Sequence, residues 1–245
     1  ILLLTGLVAI IIMFALLIIL RTKLRNSQKV QLLQQRFLRL QMNPHFIFNA
    51  LSSIQNEIVD GDEEKASIYL AKFSSLIRNT LYSSVNEHIT LEDELKTIES
   101  YLELQKLRYN DKFEFNIKVD ETIDIDSQEV PVMLIQPFVE NAIEHGIINK
   151  KGKGQLDMRV DKKGLWIIIE IEDDGVGREE AMIIMESDSK GHRSMATQIT
   201  MERIDILNHK RKCKFSLDII DKKDNSGMTK GTKVILKIPI NFRQH

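Results

Sequence analysis

A histidine within the segment NPHFIFN, residues 43–49, is the first candidate for chemistry. Apolar residues recur around it in steps of three and four, which predicts a helix packed along a partner helix. His45 stands one position past this seam, so its side chain is expected to point outward, where a neutral imidazole can act as a nucleophile. Asn49, one helical turn on, can orient the ring but cannot take its proton. The alternative is an ordinary surface histidine beside the bend that Pro44 introduces.

A second candidate is the turn DDGVG at residues 173–177, which ends a predicted strand. Glycines two apart let the backbone turn tightly and approach a ligand. A carboxylate held at such a turn can accept a hydrogen bond from an exocyclic amine such as that of adenine. The alternative is a plain strand-ending turn. Gly231 and Thr232 open the last predicted strand, where the threonine hydroxyl could support the aspartate.

The third candidate is the apolar helix QPFVENAIEHG at residues 136–146, which polar residues interrupt. Asn141, Glu144 and His145 lie within one turn of each other. An amide oxygen and a carboxylate suit a hard cation such as Mg²⁺, which proteins usually share with nucleotide phosphates. A solvated helix face is the alternative, and it accounts for Glu144 better than for Asn141, which lies deep in the apolar run.

Two helices are predicted to present the histidine. The first runs from about residue 26 to 60 and the second from about 63 to 83, and Gly61 is expected to end the first as a left-handed C-cap. Because two such helices bury their apolar faces best against a second copy, a dimeric four-helix bundle is expected. The predicted apolar faces are Val30, Leu33, Phe37, Leu40, Pro44, Ile47, Leu51, Ile54 and Ile58 on the first helix, and Ala66, Leu70, Phe73, Ile77 and Leu81 on the second.

A third helix is predicted from the N-cap Thr90 to about Tyr109, and the composition changes after Asn110. Strands and helices then mix with hairpin-like connections, which predicts a two-layer α+β sandwich. Residues 162–164 are expected to form a hairpin turn, and residues 178–194, which show no period, a mobile loop. The predicted strands are 112–119, 156–160, 165–171, 214–220 and 232–240, and the predicted helices are 131–148 and 195–209.

The first twenty residues carry no charge and form a run long enough to cross a membrane as a helix. Arg21, Lys23 and Arg25 follow at once, which indicates that the C-terminal side is cytoplasmic. A cleaved signal peptide is the alternative, which the position of these basic residues disfavours. The expected order is a transmembrane helix at 1–20 in the cytoplasmic (inner) membrane, a helical region at 21–110 and a nucleotide-binding domain at 111–245. The chain is expected to be the C-terminal part of a longer protein, because no initiator methionine is present.

Composition excludes some classes of function. The formal net charge of −1 gives no overall attraction to nucleic acid, so no direct nucleic-acid partner is expected. Cys213 is the only cysteine, so an intrachain disulfide cannot form.

The order of these motifs, from NPHFIFN through PFVENAIEHG and DDGVG to Gly231-Thr232, resembles that of sensor histidine kinases of the LytS/YehU kind. The resemblance covers residues from about 30 to 240, and in that family the NPHFIFN segment carries the phosphoacceptor, here His45. It implies a GHKL-type ATP-binding fold, shared with DNA gyrase and MutL. The site residues that it implies are Asn141 for Mg²⁺, Asp174 for the adenine amine, and His145, Gly175, Gly177, Lys190, Gly191, Gly231 and Thr232 around the ATP.

The resemblance also implies an activity, namely ATP-dependent autophosphorylation of His45 in a homodimer. The phosphoryl group would then pass to an aspartate of a response regulator receiver domain, with regulators of the LytTR type among the candidates. A function of another class stays open. The chain would then be a signalling scaffold that binds nucleotide without transferring phosphate.

Three departures from the family pattern bear on that choice. Phe46 stands where many histidine kinases have an acidic general base, so the base is unassigned. Pro137 stands where related ATPases carry the glutamate that activates water, which fits transfer to histidine rather than hydrolysis. In the glycine-rich lid that begins at Gly191, Ser194 and Ala196 replace two glycines. Charge for the triphosphate could come from Lys190, His192 and Arg193.

Overall fold

The computed structural model describes residues 13–14, 16–18, 21, 44–84, 86–187, 195–209, 213–223, 227 and 229–240. The chain divides into two compact units, Ile1–Asn43 and Pro44–His245. In the first unit the described residues are helical and exposed. Across the described part of the chain, no helix is both long and apolar enough to cross a membrane. The predicted membrane helix, and the histidine helix before Pro44, fall mostly outside the described residues.

Six helices and seven strands follow from Pro44 onward in the described residues. In chain order they are α1 (Pro44–Val59), α2 (Glu63–Ser84), β1 (His88–Thr90), α3 (Leu91–Arg108), β2 (Phe113–Val119), β3 (Glu129–Pro131), α4 (Gln136–Asn141, continued by a π-helical turn, Ala142–Ile147), β4 (Gly154–Lys163), β5 (Trp166–Asp173), α5 (Arg178–Ser187), α6 (Met195–Asn208), β6 (Ser216–Lys223) and β7 (Thr229–Pro239).

Helices α1 and α2 form the predicted hairpin, and Gly61 ends the first of them. Gly61 has φ +80°, and its N–H donates to the carbonyl of Ile58 while the N–H of Asp62 donates to that of Glu57. These two bonds make a Schellman motif, in which the left-handed residue is usually glycine. The predicted C-cap is therefore confirmed.

The stripe of α2 that is buried within the chain differs from the predicted apolar face at Leu70 and Leu81. Both of these side chains are exposed. The residues that face inward follow a heptad spacing of three and four, and include Thr80 and Ser83. Because this stripe contains polar residues, reading the sequence by apolarity alone selected the neighbouring face. The inward residues are Ala66, Tyr69, Phe73, Leu76, Thr80 and Ser83.

The predicted seam of α1 is covered on one side only. Ala50 and Ile54 are buried against α2, whereas Leu51 is 48% exposed and Ile58 is 57% exposed. A single antiparallel partner therefore leaves half of the seam in contact with water, as expected for a helix that needs a second partner.

Helix α3 begins and ends where the sequence predicts. The Oγ1 atom of Thr90 accepts a hydrogen bond from the N–H of Asp93 at 3.1 Å, which confirms the N-cap. Just before the helix, β1 pairs antiparallel with β3. The start of α3 is thus tied to the segment that leads into α4.

A five-stranded sheet in the order β2-β4-β5-β7-β6 forms one layer of the predicted α+β sandwich. β2 runs parallel to β4, and the other pairs are antiparallel. Alternate side chains of β4 and β5 are buried, as a sheet covered on one face requires. The covering helices contribute buried apolar residues that include Phe138, Val139, Ile143 and Ile147.

The structure corrects three predicted segments. Residues 178–187 form α5 rather than a loop, because Glu179 and Glu180 favour its first turn and Ala181 is buried. Residues 188–194 lie outside the described part. The helix predicted at 131–148 starts only at Gln136, because Pro131 ends β3 and Met133 has φ +51°. The β4–β5 turn lies at 164–165 rather than at 162–164.

Candidate functional site

Asp173, at the end of β5, is the buried carboxylate of the DDGVG turn. It is 4% exposed, and its Oδ1 atom accepts the N–H of Gly175 at 2.8 Å. A Cβ atom at Gly175 would lie 2.4 Å from the backbone carbon of Gly146, and one at Gly231 would lie 2.1 Å from the backbone oxygen of Asp173. Only glycine fits at these two positions. The backbone thus closes tightly around a single carboxylate.

Burial raises the pKa of Asp173 to about 6, although the backbone N–H groups of Gly175 and Thr232 act in the opposite direction. A carboxyl with this pKa is still ionised at neutral pH. The sequence suggested that the hydroxyl of Thr232 supports the aspartate. In the structure it is the backbone N–H group of Thr232 that bonds to Asp173. At the end of the turn, Gly177 is buried, and a Cβ atom there would lie 2.2 Å from a methyl carbon of Thr229.

Asp174, to which the resemblance gave the adenine contact, has different surroundings. Its carboxylate accepts hydrogen bonds from the Nζ of Lys150 at 2.6 Å and from the backbone N–H of Gln155 at 2.8 Å. The side chain is more than one third exposed. The geometry therefore favours Asp173 over Asp174 as the carboxylate that faces a buried ligand.

The helix that carries Asn141 and His145 meets the DDGVG turn at Gly146. The carbonyl of Gly146 accepts the N–H of Val176 at 3.3 Å, and a Cβ atom at Gly146 would lie 3.1 Å from Oδ1 of Asp173. The helix widens here to π geometry, which is rare and often found at functional sites. Two of the three predicted motifs therefore come together.

Asn141 joins this helix to α6. Its Nδ2 atom donates to Oγ1 of Thr197 at 2.7 Å, so the amide is held in one orientation. Burial lowers the pKa of His145, which keeps its imidazole neutral at physiological pH. Among the described residues no three His, Cys, Asp or Glu side chains converge as a metal site. A cation beside Asn141 would need most of its ligands from elsewhere.

The phosphoacceptor candidate lies in the first turn of α1. The ring of its neighbour Phe46 lies 6.1 Å from that of Phe73 and 5.8 Å from that of Tyr101, measured between centroids. This contact holds the turn that contains His45 against α3. The side chain of His45 is outside the description, as are Lys190 and Gly191. Asn49 is half-buried, and its carbonyl accepts the hydroxyl of Ser53 at 3.0 Å.

Sequence reasoning gave no role to the carboxyl of Glu140, beside Asn141. Burial and the nearby Glu144 raise its pKa to about 7, although Gln136 donates to Oε1 at 2.8 Å. Its only signal in the sequence was a charge inside an apolar run. Burial also raises the pKa of Glu144, and two such carboxyl groups one helical turn apart hinder each other's ionisation.

Replacing Glu140 with glutamine is expected to stabilise the chain in alkaline solution. The pKa of Glu140 is about 7 in the folded chain, whereas the ordinary pKa of a glutamate is 4.5. Its contribution to stability is therefore full below pH 4.5 and lost as the pH rises through 7. Unfolding by urea should show Glu140→Gln more stable than wild type by up to about 3 kcal/mol at pH 8, with little difference at pH 4.5. Glu103→Gln, at a half-exposed position of α3 where the carboxylate pairs with Lys72, is the control. Equal differences at both pH values would contradict the account.

The comparisons with known proteins agree with the order of the motifs. Residues 33–113, which include His45, match the family model described as histidine kinase. The sensor histidine kinase BtsS of Escherichia coli K12 is 34% identical over 150 residues, which cover 60% of this chain and 26% of BtsS. The sensor protein LytS of Staphylococcus saprophyticus is 37% identical over 140 residues, covering 57% of this chain and 23% of LytS.

The sensor histidine kinase YpdA of E. coli K12 aligns over more of the chain, with 32% identity over 197 residues, which cover 78% of this chain and 33% of YpdA. This chain thus spans between about a quarter and a third of these relatives. Among solved structures, the kinase domain of a blue-light activated histidine kinase from Erythrobacter litoralis EL346 has a TM-score of 0.47 and 16% identity, over 69% of this chain and 75% of that one. By its family match and its relatives, the chain belongs to the histidine kinase family.

Proposed function

We propose that this chain is the kinase part of a sensor histidine kinase in a two-component system. ATP would phosphorylate His45, and the phosphoryl group would pass to an aspartate of a response regulator receiver domain. The observation that carries the proposal is the match of the family model to residues 33–113, which contain His45. The relatives named sensor histidine kinase support it. A regulator of the LytTR type is one candidate for the partner.

In this proposal the adenine of ATP lies at the DDGVG turn, with Asp173 accepting the hydrogen bond of its amine. The support is the burial of this carboxylate and the tight backbone around it at Gly175 and Gly231. An ionised acceptor shielded from water makes a charge-assisted hydrogen bond, which is stronger than a neutral one. Asp174 and Lys150 would lie at the rim of the site, because they form an ion pair at partly exposed positions.

The phosphates would lie toward Asn141, whose amide oxygen is proposed to hold Mg²⁺. The donor set fits an ion shared with phosphate oxygens and water, since the described residues offer no acidic cage. Thr197 orients the amide. Bound there, the ion would offset negative charge on the transferring phosphoryl group. His145, Lys190 and Gly191 are proposed to complete the phosphate-binding side.

At His45, the chain would contribute a neutral imidazole as the nucleophile. An unperturbed histidine is mostly neutral at pH 7, so a nitrogen lone pair is available for in-line attack. Asn49, one turn on, is proposed to orient the ring. Phe46 replaces an acidic base at the next position, and its packing between Phe73 and Tyr101 supports a positional role instead.

Incubation with γ-labelled ATP tests the proposal. A histidine kinase gains a label that acid removes, because phosphohistidine is acid-labile, whereas a scaffold that only binds nucleotide gains none. Binding of ATP without any label would therefore favour the scaffold.

The membrane helix at 1–20, the division at residues 20 and 110, and the dimeric four-helix bundle also remain proposals. Support for the bundle comes from the apolar side chains that one hairpin leaves exposed. They are Phe48, Leu51 and Ile58 on α1 and Leu70 and Leu81 on α2. A second hairpin would cover this face.

Leu51→Glu is expected to split the dimer. Each copy would lose the burial of one leucine and place a charge in an apolar contact. The dissociation constant of the dimer should therefore rise by about a hundredfold or more. Sedimentation of both forms at micromolar concentration measures it. Leu165→Glu, which changes an exposed leucine at the β4–β5 turn, should leave the dimer intact. A wild-type chain that sediments as a monomer would show that the bundle is wrong.

A further inference from the structure

Glu94, in the first turn of α3, binds the backbone at the start of α4. Its side chain is 1% exposed. The carboxylate accepts the N–H of Met133 at 2.9 Å and that of Ile135 at 3.2 Å, and the N–H of Gln136 also bonds to it. Helix α4 has no side-chain cap of its own, because Ile135 occupies the N-cap position. Glu94 therefore satisfies donors that the helix start would leave without partners.

A second charge reaches the same segment from α6. The guanidinium of Arg203 donates to the carbonyl of Val132, one residue before those that Glu94 binds. Burial lowers the pKa of Arg203 to about 10, while the charges of Glu94 and Glu87 act against this shift. Arg203 thus remains a cation at neutral pH. Burial raises the pKa of Glu94, and the backbone N–H groups that it accepts and the charge of Arg203 act against this shift. A carboxyl group from α3 and a guanidinium from α6 thus hold one stretch of backbone between them.

The chain just before Glu94 is tied to the same stretch. β1 pairs with β3, the N–H of Leu91 donates to the carbonyl of Gln128 at 2.7 Å, and the N–H of Val132 donates to that of Glu87 at 3.3 Å. Because β1 leads directly into α3, a displacement of α3 would also move residues 128–136.

We propose that Glu94 is a positioning residue for the nucleotide site, through which the placement of α3 sets nucleotide affinity. Glu94 fixes the start of the helix that carries Asn141. Arg203 ties the segment before this helix to α6, and the Asn141–Thr197 hydrogen bond ties the end of the helix to α6. The inference rests on the proposed function, in which ATP lies beside Asn141 and Asp173.

The test compares Glu94→Gln with Glu103→Gln in the full 245-residue chain. A glutamine keeps the size of Glu94 but replaces one of its two accepting oxygens with an NH₂ group, which brings N–H donors against the backbone N–H groups of residues 133–136. Glu103 also lies on α3, but it pairs with Lys72 at a half-exposed position. Calorimetry with ATP and Mg²⁺ should show binding weakened about tenfold or more by Glu94→Gln and unchanged by Glu103→Gln.

Hydrogen exchange in the nucleotide-free chain separates local positioning from a general loss of stability. The amides of Met133 and Ile135 should exchange faster in Glu94→Gln, while those of Met158 and Ile169 in the central strands should not change. Faster exchange throughout the chain would overturn the inference. If Glu94→Gln does not fold, Glu94→Asp replaces it in both measurements. This variant keeps the carboxyl group on a shorter side chain, and the same changes in ATP affinity and amide exchange are expected.

Two failures are distinguishable. A wild-type chain that binds ATP beside a Glu94→Gln chain that binds equally well would overturn the role of Glu94 alone. A wild-type chain that does not bind ATP would overturn the proposed function and this inference with it.

Discussion

Replacing His45 with glutamine is expected to abolish phosphorylation of the chain by ATP and to leave ATP affinity essentially unchanged. His45 lies in the first turn of α1, whereas the carboxylate proposed for adenine ends β5. Glutamine has no nucleophilic nitrogen that could accept the phosphoryl group. Labelling with γ-labelled ATP, together with calorimetry of ATP binding, measures both halves of the expectation.

His209→Gln is the matched control, since this histidine is exposed just after α6. It should be labelled as fully as wild type. Full labelling of His45→Gln would show that the phosphoacceptor lies elsewhere, and His88 and His145 would be examined next.

Asp173→Asn is expected to weaken ATP binding by about tenfold to about a hundredfold. The substitution keeps the shape of the side chain but removes the charge that accepts the adenine amine. A hydrogen bond to a charged group contributes roughly 1.5–3 kcal/mol. Calorimetric titration with ATP at pH 7.5, where the carboxyl with a pKa of about 6 is ionised, measures the loss.

Asp174→Asn is the informative comparison, because it removes the same charge one residue further on. The carboxylate of Asp174 binds Lys150 and the backbone of Gln155, so its loss should weaken ATP binding much less. If Asp174→Asn lost the affinity and Asp173→Asn kept it, the assignment that the family resemblance first suggested would be right and the present one wrong.

The choice between Asp173 and Asp174 shows where sequence reasoning stops. The two residues are chemically identical neighbours, so their type cannot say which one faces a ligand. The alternation of side chains along β5 buries Asp173, whereas Asp174, the next residue, is partly exposed. Burial of one particular residue depends on Gly146 and Gly231, which come from other parts of the chain.

Features governed by local chemistry were predictable. The Thr90 N-cap and the Gly61 C-cap each depend on a few neighbouring residues, and both were confirmed. The bounds of α3 and the central part of β4 also agree with the sequence prediction, because each depends on residues that lie close together in the chain. The helix α5 was missed because a short charged segment shows too few turns for a period to be seen.

Features governed by distant contacts were not predictable. The start of α4 depends on Glu94, which lies 39 residues before its first partner, Met133. The inward face of α2 depends on packing that accepts Thr80 and Ser83 at buried positions. In both cases a polar residue occupies a buried position, which a hydrophobic pattern cannot reveal.

Mapping the phosphorylated peptide of the wild-type chain, after incubation with γ-labelled ATP and Mg²⁺, tests the central claim most directly. Digestion and mass spectrometry at neutral to alkaline pH preserve a phosphohistidine. The account predicts a single labelled peptide that contains His45, with a label that acid removes. A label on any other peptide, or a chain that binds ATP and carries no label, would contradict it.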